Sequence, residues 1–150
     1  MEDFWVGAFI RSRVLWITLL AWIISQGTKI ILGVISKRKF NFYWILSTGG
    51  MPSSHSAGVV ALAVCIGKQE GFSSALFALA CIFALVTMFD AQTWRRSVGV
   101  QARILNKIMD DVQAHKKIGD NRLKELVGHT PIEVFVGALI GIIVPLLFYK

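Results

Sequence analysis

The chain has 150 residues, 55% of them hydrophobic and 17% charged, with a formal net charge of +7 and a mean hydropathy of +0.61. A soluble domain of this size needs a polar coat, and here the apolar residues fall in long blocks, which excludes an ordinary water-soluble fold. The expectation is a single membrane-embedded domain over residues 1–150: an all-α bundle of about four transmembrane helices, with an amphipathic interfacial helix between the third and fourth.

Met1–Ser12 is too short and too charged to span a bilayer. Val14–Ile35 fits a span of roughly 20 residues, and it is too long and lacks the small-residue cleavage pattern of a signal peptide. A second, shorter block, Pro52–Gly67, begins inside the polar run "GGMPSSHSA". Phe72–Phe89 is strongly apolar and is stopped by Asp90.

In Trp94–Gln113, Val98, Ala102, Leu105, Met109 and Val112 recur at helical spacing, with Arg103, Lys107, Asp110 and Asp111 on other faces. This pattern predicts an amphipathic helix on the membrane surface or continuing from the third span. His115–Asn121 reads as an exposed turn, and Arg122–Val127 as a short helix ending at Gly128. Ile132–Tyr149 is the last span. Cys65 and Cys81 fall inside apolar blocks and read as small buried residues with no disulfide.

This order of spans puts the end of the first helix, the start of the second, the end of the third and the start of the fourth on one side. Lys29, His55, Asp90, Arg95, Arg96, His129 and Glu133 therefore gather at a single membrane face. That face also carries Lys37, Arg38, Lys39, Arg103, Lys107, Lys116, Lys117, Arg122 and Lys124, against Arg11, Arg13, Lys68 and Lys150 opposite. By the positive-inside rule it faces the cytoplasm. The cations suit anionic lipid headgroups, and no nucleic-acid module is visible.

The chemistry-bearing residues form two groups. In "GHTPIEVFVGALIG", His129 and Glu133 are four apart, so a helix starting here puts them on one face. The carboxylate can hold one imidazole nitrogen and leave the other as a nucleophile. Thr130 as cap and Pro131 in the first turn account for a helix start, but not for the histidine beside it. In the other group, Gly49 and Gly50 allow close backbone approach. Pro52 with Ser53 or Ser54 can start a helix whose N–H groups receive an anion, and His55 then stands ready to donate a proton. Lys29, with Gln26 one turn earlier, either joins this site or snorkels to the membrane surface.

"GGMPSSHSA", "DAQTWRRSVGVQARILN" and "LKELVGHTPIEVFVGALIG" together resemble the divergent branch of the type 2 phosphatidic acid phosphatase superfamily, related to the vanadium-dependent haloperoxidases. The resemblance runs from about Lys29 to the C-terminus. It implies His129 as the nucleophile that forms a phosphohistidine, Glu133 as its orienting partner and His55 as the general acid. Lys29 resembles the lysine of the first family motif, and Pro52-Ser53-Ser54-His55 the Pro-Ser-Gly-His core of the second.

The chain departs from the family pattern at several positions. Ser36-Lys37 stands where the first motif carries Arg-Pro, Ser54 replaces a glycine, Leu123 lies where the third motif carries Ser-Arg, and Glu133 replaces an aspartate. Arg95, Arg96 and Lys124 are expected to supply the missing phosphate-binding charge, with Asp90 or Gln101 orienting them.

The resemblance thus implies a membrane lipid-phosphate phosphatase acting on a phosphate monoester such as phosphatidylglycerophosphate, in a bacterial inner membrane, with no cofactor and no metal. Its expected partners are the lipid phosphate and membrane lipids, with a homo-oligomer left open, since Gly137 and Gly141, spaced as G-x-x-x-G, permit close helix packing within or between chains. The alternatives are a non-catalytic carrier or binder of a phosphorylated lipid, a polyprenyl pyrophosphate phosphatase, a serine acyl hydrolase using Ser53 or Ser54, a haloperoxidase, and a zinc site on His55, His129 and Glu133.

Overall fold

The computed structural model describes residues 10–38, 50–113 and 128–150, apart from the side chains of residues 94–96, 111 and 113. Among these residues the elements are α1 (Arg13–Lys37), α2 (Ser54–Glu70), α3 (Ala75–Gln92), α4 (Trp94–Gln113) and α5 (Pro131–Phe148), with no strand. Four of them start on a hydroxyl cap. Ser12, Ser53, Ser74 and Thr130 accept from the backbone N–H of Leu15, Ser56, Phe77 and Glu133 respectively, which satisfies donors that a helix start would otherwise leave bare.

Three segments are long and apolar enough to cross a membrane: Arg13–Lys37, Ala75–Asp110 and Pro131–Phe148. The middle one joins α3 to α4 through Thr93, whose N–H bonds Phe89 O at 2.9 Å. The amphipathic helix expected at Trp94–Gln113 therefore forms over that span as a continuation of α3. The second expected span is the 17-residue α2. It is the centre of the bundle, packed against α1, α3 and α5, while α1 also meets α5.

The packing runs opposite to that of a soluble protein. α2 buries Ala57, Ala61, Ala63, Cys65 and Gly67, and the core cluster unites Ile17, Ala21, Ala61, Cys65 and Val144. Large residues point outward instead: Trp22, Leu79, Phe83, Phe135 and Leu147 are all exposed. Hydrocarbon around the bundle removes the penalty for that exposure, and small interior residues let the helices approach closely. Outward hydroxyls are satisfied locally, with Thr28 donating to Ile24 O and Thr87 to Phe83 O, both at 2.8 Å. The result is an all-helical membrane bundle. Cys65 and Cys81 are both free thiols.

The glycines of the G-x-x-x-G motif act within the chain. A Cβ on Gly137 would overlap the Ser53 carbonyl, and one on Gly141 would stand 2.6 Å from Ala57 O. Both helices therefore touch backbone to backbone, which fixes the first half of α5 against the start of α2.

Candidate functional site

His129 precedes the cap of α5 and is positioned from three directions. Gly128, at φ +120°, turns the chain into the helix in a conformation that side-chain-bearing residues rarely adopt. The His129 backbone N–H donates to Ala91 O at 3.0 Å, tying it to the end of α3. Its Nδ1–H donates to Glu133 Oε2 at 3.1 Å. A carboxylate can only accept, so this bond puts the proton on Nδ1 and leaves Nε2 as the basic nitrogen.

Glu133 is the hinge of the arrangement. Its Oε2 also accepts from Thr130 N at 3.0 Å, and its own N–H donates to Thr130 Oγ1 at 3.3 Å, completing a capping box. Its carbonyl accepts from Ser53 N at 2.9 Å. One residue thus fixes the histidine ring, caps α5 and joins α5 to the start of α2.

Across that junction, the His55 and His129 ring centroids are 6.2 Å apart, with their planes tilted by 59°. His129 is buried and His55 half-buried. Pro52 and Ser53 are fully buried beneath them. Ser53 Oγ accepts from Ser56 N at 3.3 Å and from Ser56 Oγ at 3.0 Å. Ser53 therefore builds the junction, with its backbone N–H spent on Glu133. Ser54 is buried in the first turn.

Lys29 comes to the same place from α1. It is 8% exposed and donates from Nζ to Gln26 Oε1 at 3.1 Å. A Cβ on Gly50 would lie 3.7 Å from Lys29 Cγ and Cδ, so the polar loop rests on the lysine stem. The ammonium is within electrostatic reach of the Glu133 carboxylate. The ammonium is thus held inside the bundle by the Gln26 amide.

His129 also lines a cavity of about 580 Å³ between the end of α3, α4 and the start of α5, whose other walls are Gln92, Thr93, Ser97, Val100, Gln101 and Pro131. Gln101 was expected near the site. Gln92, Thr93 and Ser97 were not, although Thr93, Ser97 and Gln101 recur every four residues, which is the spacing of one helix face. Thr93 Oγ1 donates to Phe89 O and Ser97 Oγ to Thr93 O, leaving both oxygens able to accept from a ligand. Asp90 is half-buried in the last turn of α3 and is not part of this wall.

Arg95 and Arg96 lie in the first turn of α4, and their side chains fall outside the described residues, as do Gly49 and Lys124. Among the described residues, no three His, Cys, Asp or Glu side chains are placed to hold a metal ion.

The sequence itself now decides the family, because the divergent PAP2 family matches residues 10–144. The chain belongs to the divergent PAP2 family. It is also 44% identical over 140 residues to the uncharacterized membrane protein YuiD of Bacillus subtilis (strain 168), covering 86% of this chain and 89% of that protein. No solved structure matches the chain. Family membership and the apolar helices together make this divergent PAP2 protein an integral membrane protein.

Proposed function

We propose that this protein is a membrane lipid-phosphate phosphatase that hydrolyses a phosphate monoester through a phosphohistidine on His129. The observation that carries this reading is the juxtaposition of an oriented imidazole, held at 3.1 Å by Glu133 and lining a cavity, with a second imidazole whose ring centroid is 6.2 Å away. Two histidines, one held by a carboxylate, match the two roles that monoester hydrolysis needs.

In the first step His129 Nε2 attacks phosphorus and the P–O bond to the lipid alcohol breaks. Protonated His55 gives its proton to the departing oxygen, so a neutral alcohol leaves. Glu133 stabilises the positive charge that develops on the His129 ring, as an oriented carboxylate does in other histidine-dependent sites. In the second step a water attacks phosphorus, His55 takes its proton, and the P–N bond breaks. Inorganic phosphate leaves and both histidines return to their starting states.

Charge on the transferring phosphoryl oxygens needs fixed cations and N–H groups. Lys29 and the start of α2 supply part of that, with Arg95, Arg96 and Lys124 assigned the remainder. The cation-rich side of the chain supports an orientation with this end of the bundle toward the cytoplasm, and the proposed location is a bacterial inner membrane. There a lipid keeps its acyl chains in the bilayer while its phosphate reaches His129. Phosphatidylglycerophosphate is the substrate favoured by that orientation.

The test is phosphate release from phosphatidylglycerophosphate, phosphatidic acid and polyprenyl phosphates in detergent, for wild type and His129→Ala. The reading expects release by wild type from at least one monoester and none by the variant. Equal release by both proteins overturns the histidine mechanism. Binding without release by either favours a lipid carrier.

A further inference from the structure

The opposite end of the bundle carries a second cavity with a different chemistry. α5 is 18 residues long, so its far end lies about 27 Å from His129 at the rise of an α-helix. There the start of α1 meets the end of α5 around a cavity of about 360 Å³, walled by Arg11, Arg13, Trp16, Ile17, Phe148 and Lys150. Three cations thus share one small cavity with two aromatic rings. Among the described residues of this end, the one carboxylate side chain is Glu70, and it accepts from Gln69 Nε2 at 2.8 Å.

The cavity is held by bonds between distant parts of the chain. Arg13 Nη1 donates to Lys150 O at 3.0 Å, clasping α1 to α5. Trp16 Nε1 donates to Ile10 O at 2.7 Å, which folds the residues before α1 back along the helix. Beside it, Lys68 donates to Tyr149 O and lies 5.7 Å from that ring's centroid, while Tyr149 Oη donates to Gln69 Oε1 at 3.0 Å. Arg13 and Phe148 terminate two helices that are apolar enough to cross a membrane, so this cavity lies at headgroup level. Ile10, Trp16 and Phe148 are exposed at its rim, where an acyl chain would continue from a bound headgroup.

We infer that this cavity binds the phosphate of an anionic phospholipid, with Arg11, Arg13 and Lys150 around the headgroup and Trp16 and Phe148 along the first part of the acyl chain. Clustered cations at a membrane surface favour anionic over zwitterionic lipid, and the apolar rim favours a lipid over a free anion. A lipid seated here fastens α1 to α5, the helices that carry Lys29 and Glu133 at the other face. The inference does not depend on the proposed phosphatase activity.

Native mass spectrometry of the full chain, released from detergent with phosphatidylglycerol or phosphatidylcholine of matched acyl chains, tests this. Wild type is expected to retain one phosphatidylglycerol more than the R11Q/R13Q/K150Q variant, with affinity for that lipid falling by about tenfold or more, as loss of three surface cations implies. Phosphatidylcholine should be retained equally by both, which also reports that the variant is folded. If the triple variant does not fold, Arg11→Gln alone, at an exposed position before α1, should show the same loss to a smaller degree. Equal phosphatidylglycerol retention by wild type and variant overturns the inference, as does equal retention of the two lipids by wild type. Inorganic phosphate displacing the bound phosphatidylglycerol at low millimolar concentration overturns the lipid assignment in favour of a soluble anion.

Discussion

Gly137 faces the carbonyl of Ser53 so closely that a methyl group there would overlap it. Because Ser53 caps α2 and Glu133 lies in the first turn of α5, this contact helps set the distance between the His55 and His129 rings. Gly137→Ala should push the two helix starts apart, costing about 1–3 kcal/mol by overpacking, and should abolish phosphate release. Gly27→Ala is the control, since a Cβ there meets nothing within 4 Å. It should leave the midpoint of thermal unfolding in detergent unchanged or raised.

His55 is assigned the proton given to the leaving oxygen. Its removal should matter in proportion to how badly that oxygen needs a proton. His55→Ala should slow release from an alkyl phosphate by about 10²–10⁴-fold, yet slow an aryl phosphate with an acidic leaving group far less. Measuring both substrates on one variant separates proton donation from a general loss of structure, which would slow both alike.

Thr130 and Glu133 share a capping box, so structural and chemical roles overlap in one turn. Thr130→Ala should cost about 1 kcal/mol of stability with a modest loss of activity, because Glu133 still reaches His129. Glu133→Gln should keep most of the stability and lose most of the turnover, since a neutral amide cannot stabilise an imidazolium. Unfolding midpoints and kcat measured on both variants check the split. Equal effects of the two changes on both quantities would assign Glu133 a capping role only.

Lys29 sits buried beside Gln26 and the Gly50 loop. Lys29→Met preserves the length of the side chain and suits the membrane interior, so the protein should still fold. Loss of the ammonium should lower kcat/KM by about 10²–10³-fold, the scale for removing one preorganised group that stabilises transition-state charge. A rise in KM without loss of kcat would argue against that role, since it marks a group that binds substrate and transition state equally.

Much of this arrangement was legible in the sequence, and the reasons differ by element. The spacing of His129 and Glu133 and the Thr130-Pro131 start specify their own helix turn, and that local geometry forms as expected. The gathering of Lys29, His55 and His129 followed from the order of apolar blocks alone. The limits of α4 were readable because its amphipathic period is strong. The role of α2 was not. A short block rich in alanine and glycine reads as a weak span, and only the packing shows that its small residues put it at the centre.

Gln101 was legible in the sequence, but Thr93 and Ser97 on the same face were not, because hydroxyls beside Arg95 and Arg96 carry no charge to mark them. The G-x-x-x-G pattern announced a close contact, but whether it lay within or between chains depended on Ser53 and Ala57, far away in sequence.

The most direct test of the account is to look for the covalent intermediate. A lipid monoester carrying labelled phosphate would be mixed with the protein and quenched in base, which preserves a phosphoramidate. The account predicts label on His129, stable in base and lost in acid, absent from His129→Ala. Turnover by wild type that persists in His129→Ala, or label that resides on another residue, would contradict it.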